Sequence, residues 1–133
     1  MTTTAKVLFT GRTHTTSGPE GASRSSDGFV DVKLPQPHPA AEQLFASAWS
    51  ACYLGAIELA AAQKKITLPS HPAVDTEIDL NRDGNSFFLR ARLSVSVPGL
   101  DRAVVQELAE AAHGICPYSK AVHGNIEVTT NVI

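Results

Sequence analysis

One segment constrains this fold more than any other. From Ala40 to Lys65 the chain contains no proline and is rich in alanine, leucine and glutamine. Written on a helix, it is apolar almost all round, with Leu44, Phe45, Ala48, Trp49, Ala51, Cys52, Leu54, Ile57 and Leu59 distributed over every side. A helix apolar on all faces is buried on all faces. In a chain of 133 residues, that requires either a sheet wrapped around the helix or a second subunit covering it. Leu44 to Ala62 is also about long enough to cross a bilayer. Its apolarity, however, comes largely from alanine, it carries Glu58, and its neighbours read as strands of a water-soluble domain, so a core helix and no membrane partner are expected.

The flanking sequence supplies the strands. Lys6 to Thr16 alternates partly and is rich in threonine and valine, Ser17-Gly18-Pro19-Glu20-Gly21 is a turn, and Ala22 to Ser26 returns. Gly28 to Leu34 alternates clearly, completing an antiparallel meander that Pro35-Gln36-Pro37-His38-Pro39 stops. Beyond the helix, Ala73 to Asn81 and Ser86 to Val97 read as a hairpin closed by Asp83-Gly84-Asn85. Asp101 to His113 is an amphipathic helix with Gly114 at its C-terminus, and Asn125 to Ile133 is a final strand. The expected class is α+β with antiparallel sheets, as one domain over residues 1–133. A net charge of −2, a pI near 6.2 and the lack of a basic tract give no reason to expect a nucleic-acid or anionic-membrane partner. Met1 to Lys6 is polar, without the apolar core of a signal peptide, so a cytoplasmic location is expected.

Two cysteines in a reducing compartment seldom form a structural disulfide. They are either inert small hydrophobes or a reactive pair. Cys52 lies in the most apolar part of the chain, where burial penalises a thiolate. The nearest cations on its own helix, Lys64 and Lys65, are about 18 Å away. Cys116 precedes Pro117, a residue suited to the first position of a short helix, which places Cys116 at the N-cap facing free amide groups. His113-x-x-Cys116 suggests a metal, but a closed zinc site needs four ligands and the remainder are missing, so no metal is expected.

These segments together resemble the organic hydroperoxide resistance proteins of the OsmC/Ohr superfamily. Glu42-Gln43-Leu44-Phe45-Ala46 followed by Ala51-Cys52 is similar to the family's first cysteine motif. Ala112 to Ser119 (AHGICPYS) is similar to the second, continued by Gly124 to Val128. Ser25-Ser26-Asp27-Gly28 and Pro98 to Arg102 also fit in order, so the resemblance runs from about Lys6 to the C-terminus. It implies an intertwined homodimer, with antiparallel sheets wrapped around long central helices. It implies that Cys52 attacks an organic hydroperoxide and becomes a sulfenic acid, which Cys116 resolves as a disulfide. It further implies reduction by a small dithiol or a lipoylated carrier protein, with no cofactor.

The family also activates its first cysteine with a glutamate, matched by Glu42, and an arginine. The arginine's place in the turn between the first two strands is taken here by Pro19, and the loop before Glu42 is shortened to Pro35 through Ala41. Arg24, on the segment returning from that turn, and Arg12, on the first strand, are the candidate replacements, because a guanidinium offers several fixed donors to carboxylate and thiolate. The competing expectation is a divergent member with weak peroxidase activity, acting as a thiol redox sensor or binding an apolar ligand. A third is a structural protein whose cysteines are inert.

Overall fold

A computed structural model describes residues 4–34 and 40–133 and places them in two compact units, Met1–Ala40 and Ala41–Ile133. The proline run at 35–39, and most of the shortened loop, lie outside the described residues.

In the first unit, β1 (Thr13–Thr16), β2 (Ala22–Ser25) and β3 (Asp31–Lys33) form the expected antiparallel meander in that order. The β1–β2 turn closes with the Gly21 amide donating to the Gly18 carbonyl at 2.9 Å. Asp27 organises the second turn by accepting from the Ser25 hydroxyl at 2.6 Å and the Phe29 amide at 3.0 Å. Those two donors hold its carboxyl below the usual carboxylate range. The first strand is shorter than its composition suggests. Only Thr13–Thr16 enters the ladder, so Arg12 precedes β1 rather than sitting in it, although its carbonyl accepts from the Ser26 amide.

The second unit is built on α1 (Ala40–Gln63), whose bounds agree closely with the proline-free segment. β4 (Ala73–Asp83) and β5 (Ser86–Ser96) make a long antiparallel hairpin whose two-residue turn starts at Gly84, at φ +60. β6 (Glu127–Val132) joins the other edge of β5 and runs parallel to it, from Arg90 opposite Glu127 to Val95 opposite Val132. An all-antiparallel sheet was expected because the turns looked too short for parallel crossovers. The β5–β6 connection nevertheless carries two helices, α2 (Arg102–Ile115) and α3 (Pro117–Val122), and such a crossover permits parallel return. Gly114 lies inside α2 instead of capping it. The helix ends at Cys116, which is extended (φ −64, ψ 117) because the following proline disfavours helical backbone there.

The core joins Trp49, Tyr53 and Ile57 of α1 to Leu93 and Val95 of β5 and to Val105, Ala109 and Ala112 of α2. The three α1 residues repeat at i, i+4, i+8 and so share one face. The other side of α1 shows Ala41, Leu44, Ala48, Ala51, Gly55, Leu59 and Ala62, spaced by threes and fours and all exposed. Both faces are therefore apolar, and the described residues of the second unit cover one of them.

α1 terminates with Lys65 in the left-handed region (φ 57), its amide bonded to Ala62 O and the Ile66 amide to Ala61 O. This is a Schellman arrangement built on a residue with a Cβ, which glycine would fill without strain. Lys65→Gly is expected to stabilise the fold by about 1 kcal/mol, seen as a higher urea midpoint at unchanged slope.

Candidate functional site

Both cysteines belong to the second unit, and the fold brings them together from opposite ends of it. Cys52 sits midway along α1, half-buried; Cys116 is fully buried at the α2–α3 junction. Their sulfurs are 3.1 Å apart, and both thiols are free. A disulfide needs about 2.05 Å, so closure requires an approach of roughly 1 Å. The junction forms for a local reason: Pro117 starts α3, and Cys116 becomes its N-cap with Sγ accepting from the Ser119 amide at 3.5 Å. The N-cap position expected from Cys116-Pro117 is therefore observed.

Burial pushes the Cys52 thiol above its ordinary pKa, and the neighbouring Cys116 thiol adds to that; the Tyr118 amide opposes them. Among the described residues of 41–133, these are the groups acting on it, and none is cationic. At neutral pH a thiol so placed is less ionised than a free one.

Glu42 lies in the first turn of α1, ten residues before Cys52. Because α1 is continuous, the two are about 15 Å apart along the axis, and any link between them passes through a third group. Arg24 and Arg12 belong to the first unit. Arg24 pairs with Asp31 across β2 and β3 at 3.1 Å with both side chains exposed, an arrangement that contributes little stability and is easily exchanged. Arg12 is exposed just before β1.

A hydrogen-bonded cluster adjoins the thiols that motif reading did not single out. Trp49, one turn before Cys52, donates from Nε1 to Ser119 Oγ at 2.9 Å. His113 Nδ1 is 2.8 Å from the same oxygen, and its Nε2 is 2.8 Å from Thr130 Oγ1 on β6. His113 thus spends both ring nitrogens on hydroxyl partners. Burial lowers its pKa, leaving the ring neutral at neutral pH. The Tyr53 ring lies 4.7 Å from the imidazole, and its hydroxyl donates to Ala109 O at 2.7 Å. Burial, reinforced by Cys116, pushes that phenol well above its usual range, so it remains a donor. The available signal was that His113 and Ser119 each stand three residues from Cys116, one turn to either side. A cavity of about 720 Å³ opens between the end of α2, α3 and β6; Trp49, His113, Ser119 and Thr130 line it, whereas neither cysteine does.

A family model described as OsmC-like protein matches residues 34–131. The organic hydroperoxide resistance protein of Xanthomonas axonopodis pv. citri is 38% identical, over 97% of this chain and 97% of that one. The crystal structure of the organic hydroperoxide resistance protein OhrB of Bacillus subtilis matches with a TM-score of 0.84 at 34% identity, covering 96% of this chain and 100% of that one. A Legionella pneumophila organic hydroperoxide resistance protein matches with a TM-score of 0.85 at 30% identity, covering 96% and 98%. Sequence motifs, the α+β architecture and these similarities agree: the chain belongs to the organic hydroperoxide resistance proteins of the OsmC/Ohr superfamily.

Proposed function

We propose that this protein is a cysteine-based peroxidase that reduces alkyl or fatty-acid hydroperoxides to alcohols. The observation that carries this is the 3.1 Å contact between a half-exposed and a buried thiol. The Cys52 thiolate attacks one peroxide oxygen, and the O–O bond breaks. Cys52 becomes a sulfenic acid, and the alkoxide leaves with a proton as the alcohol. Cys116 sulfur then attacks Cys52 sulfur, forming the disulfide and expelling water. A dithiol, either small or carried as a lipoyl group on a protein, returns both thiols by exchange. No cofactor enters this scheme. Phe45, half-buried and 5.7 Å from the Trp49 ring, offers an apolar wall suited to an alkyl chain.

The working form in this proposal is a homodimer in the cytoplasm. α1 is long and apolar enough to cross a membrane, but one side of it is committed to the protein core, and the stripe opposite, small residues flanked by Leu44 and Leu59, suits a second helix. Glu42 and an arginine complete the site in this proposal, the arginine spanning part of the roughly 15 Å between Glu42 and Cys52, with Arg24 preferred over Arg12 because it lies on the segment returning from the turn that holds Pro19.

Two observations favour a second reading, a weak peroxidase that senses thiol oxidation or binds an apolar ligand: Pro19 occupies the turn, and no cation of residues 41–133 acts on Cys52. Stopped-flow kinetics separate the two. A peroxidase consumes cumene hydroperoxide far faster than hydrogen peroxide and gains one intramolecular disulfide, whereas a rate no better than a free thiol's selects the sensor or binder. Arg24→Ala is expected to slow the wild-type reaction at neutral pH by about tenfold or more, the thiolate loss that follows from a pKa rise of one unit or more. Its rate should then climb with pH as Cys52 ionises. If neither Arg24→Ala nor Arg12→Ala changes the rate, neither arginine is the activating cation.

A further inference from the structure

Ser119 is more heavily bonded than packing alone requires. It is 6% exposed. Its amide holds Cys116 Sγ, and its hydroxyl meets Trp49 Nε1 and His113 Nδ1, with Thr130 beyond His113. One arrangement of a neutral imidazole satisfies every atom: Trp49 N–H donates to Ser119 Oγ, Ser119 O–H to His113 Nδ1, and His113 Nε2–H to Thr130 Oγ1. The two ends of this chain matter. Trp49 is fixed to α1 three residues before Cys52, and Ser119 is fixed to α3 three residues after Cys116. The Trp49–Ser119 bond therefore ties the helix carrying one thiol to the turn carrying the other. His113 and Thr130 anchor that tie to α2 and to β6. Moving α3 away from α1 would break a buried bond and strand a polar atom.

We propose that Ser119, held by Trp49 and His113, is a positioning residue that keeps Cys116 sulfur within reach of Cys52 sulfur, and so sets the rate of disulfide closure but not of peroxide attack. This rests on the peroxidase proposal only for its physiological trigger. Peroxide attack engages Cys52 and does not involve Cys116 sulfur. Closure needs both sulfurs on one line at short range, and a misplacement of about 1 Å can cost an intramolecular step roughly a hundredfold.

Ser119→Ala removes the shared hydroxyl. His113→Phe removes both nitrogens while keeping a ring against Tyr53. Ser119→Thr keeps the hydroxyl and serves as the conservative control. Rapid mixing with cumene hydroperoxide, followed by quenching and mass spectrometry, reads sulfenic acid at Cys52 (as its dimedone adduct) and the Cys52–Cys116 disulfide separately. For both disruptive variants the sulfenic step should stay within about twofold of wild type, while closure slows by about tenfold to a hundredfold. The dimedone adduct should accumulate in those variants, and Ser119→Thr should recover most of the closure rate. A parallel series uses diamide, which takes the two thiol hydrogens to become a hydrazine and drives closure without any hydroperoxide chemistry. Slower closure in both series supports the role. Wild type inert to hydroperoxide, with variant closure still slowed under diamide, overturns the peroxidase proposal and leaves the positioning role standing. Closure at the wild-type rate under diamide in both folded variants, as judged by their urea midpoints, overturns the positioning role.

Discussion

Cys52→Ser should lose hydroperoxide reduction by on the order of 10³-fold or more, the scale seen when a covalent nucleophile is removed. Serine has the size of cysteine but its hydroxyl does not ionise in the neutral range, so the O–O bond meets no comparable nucleophile. The change should leave the fold intact: Cys52 is half-buried at the edge of the core, and its thiol hydrogen-bonds with Cys116. Loss of activity at an unchanged urea midpoint would therefore report chemistry and not folding. Full activity in Cys52→Ser would rule out the proposed mechanism. Cys116→Ser should behave differently. Its first turnover should proceed, because the alcohol is released before Cys116 acts. The sulfenic acid left on Cys52 then has no resolving thiol, and excess hydroperoxide should carry it on to the sulfinic acid, which dithiols do not reverse. A single burst followed by inactivation, with one or two extra oxygens on the intact protein, is the expected signature. On the proposed mechanism the cysteines are unequal partners: the half-exposed one would meet substrate, and the buried one would resolve it.

The legibility of this site in the sequence divides along physical lines. Local signals carried through well. The proline-free helix, the hairpin at Gly84, and the N-cap of Cys116 before Pro117 depend on neighbours within a few residues, and each is where composition placed it. Signals that depend on chain path did not. Gly114 looks like a helix stop, but the stop comes from the constraint Pro117 places on Cys116. The parallel pairing of β6 follows from how the α2–α3 crossover returns, which no local pattern encodes. The 3.1 Å approach of two sulfurs 64 positions apart could be inferred from family resemblance but not from spacing. The Trp49–Ser119–His113–Thr130 chain was missed because His113 invites a metal interpretation in a linear sequence, whereas in three dimensions hydroxyls occupy both of its nitrogens. The activating cation is the least legible element, since the arginine candidates lie in one unit and the thiols in the other.

The second large effect concerns the uncovered side of α1. Gly55 is the informative residue there. A glycine in the middle of a helix costs about 1 kcal/mol relative to alanine, and within its own unit a Cβ at this position would meet nothing within 4 Å. Nothing in the second unit explains the missing side chain. Close approach of a second helix would, because small residues such as Ala48, Ala51 and Gly55 would let two backbones come together, whereas Leu44 and Leu59 toward the ends would gain burial. In a two-fold dimer the stripe meets its own copy, so Gly55→Glu introduces two facing carboxylates into an apolar contact at once. Each lacks a partner, and burying an unpaired charge costs several kcal/mol; a loss of about 4 kcal/mol corresponds to roughly a thousandfold weaker association. Sedimentation or light scattering should then find a dimer in wild type and a monomer in Gly55→Glu at micromolar concentration. The same change improves helix propensity, so a monomer with intact helical circular dichroism cannot be blamed on a broken α1. Gly55→Ala provides the graded case: helix propensity rises, yet the added methyl group separates the backbones, so the dimer should weaken while the monomer gains stability. Hydroperoxide reduction should fall with the dimer in both variants if the partner completes the site around Cys52. A Gly55→Glu protein that remains dimeric would place the contact elsewhere on the surface, and a wild type that pellets with lipid vesicles while Gly55→Glu stays in solution would identify the stripe as a membrane face instead.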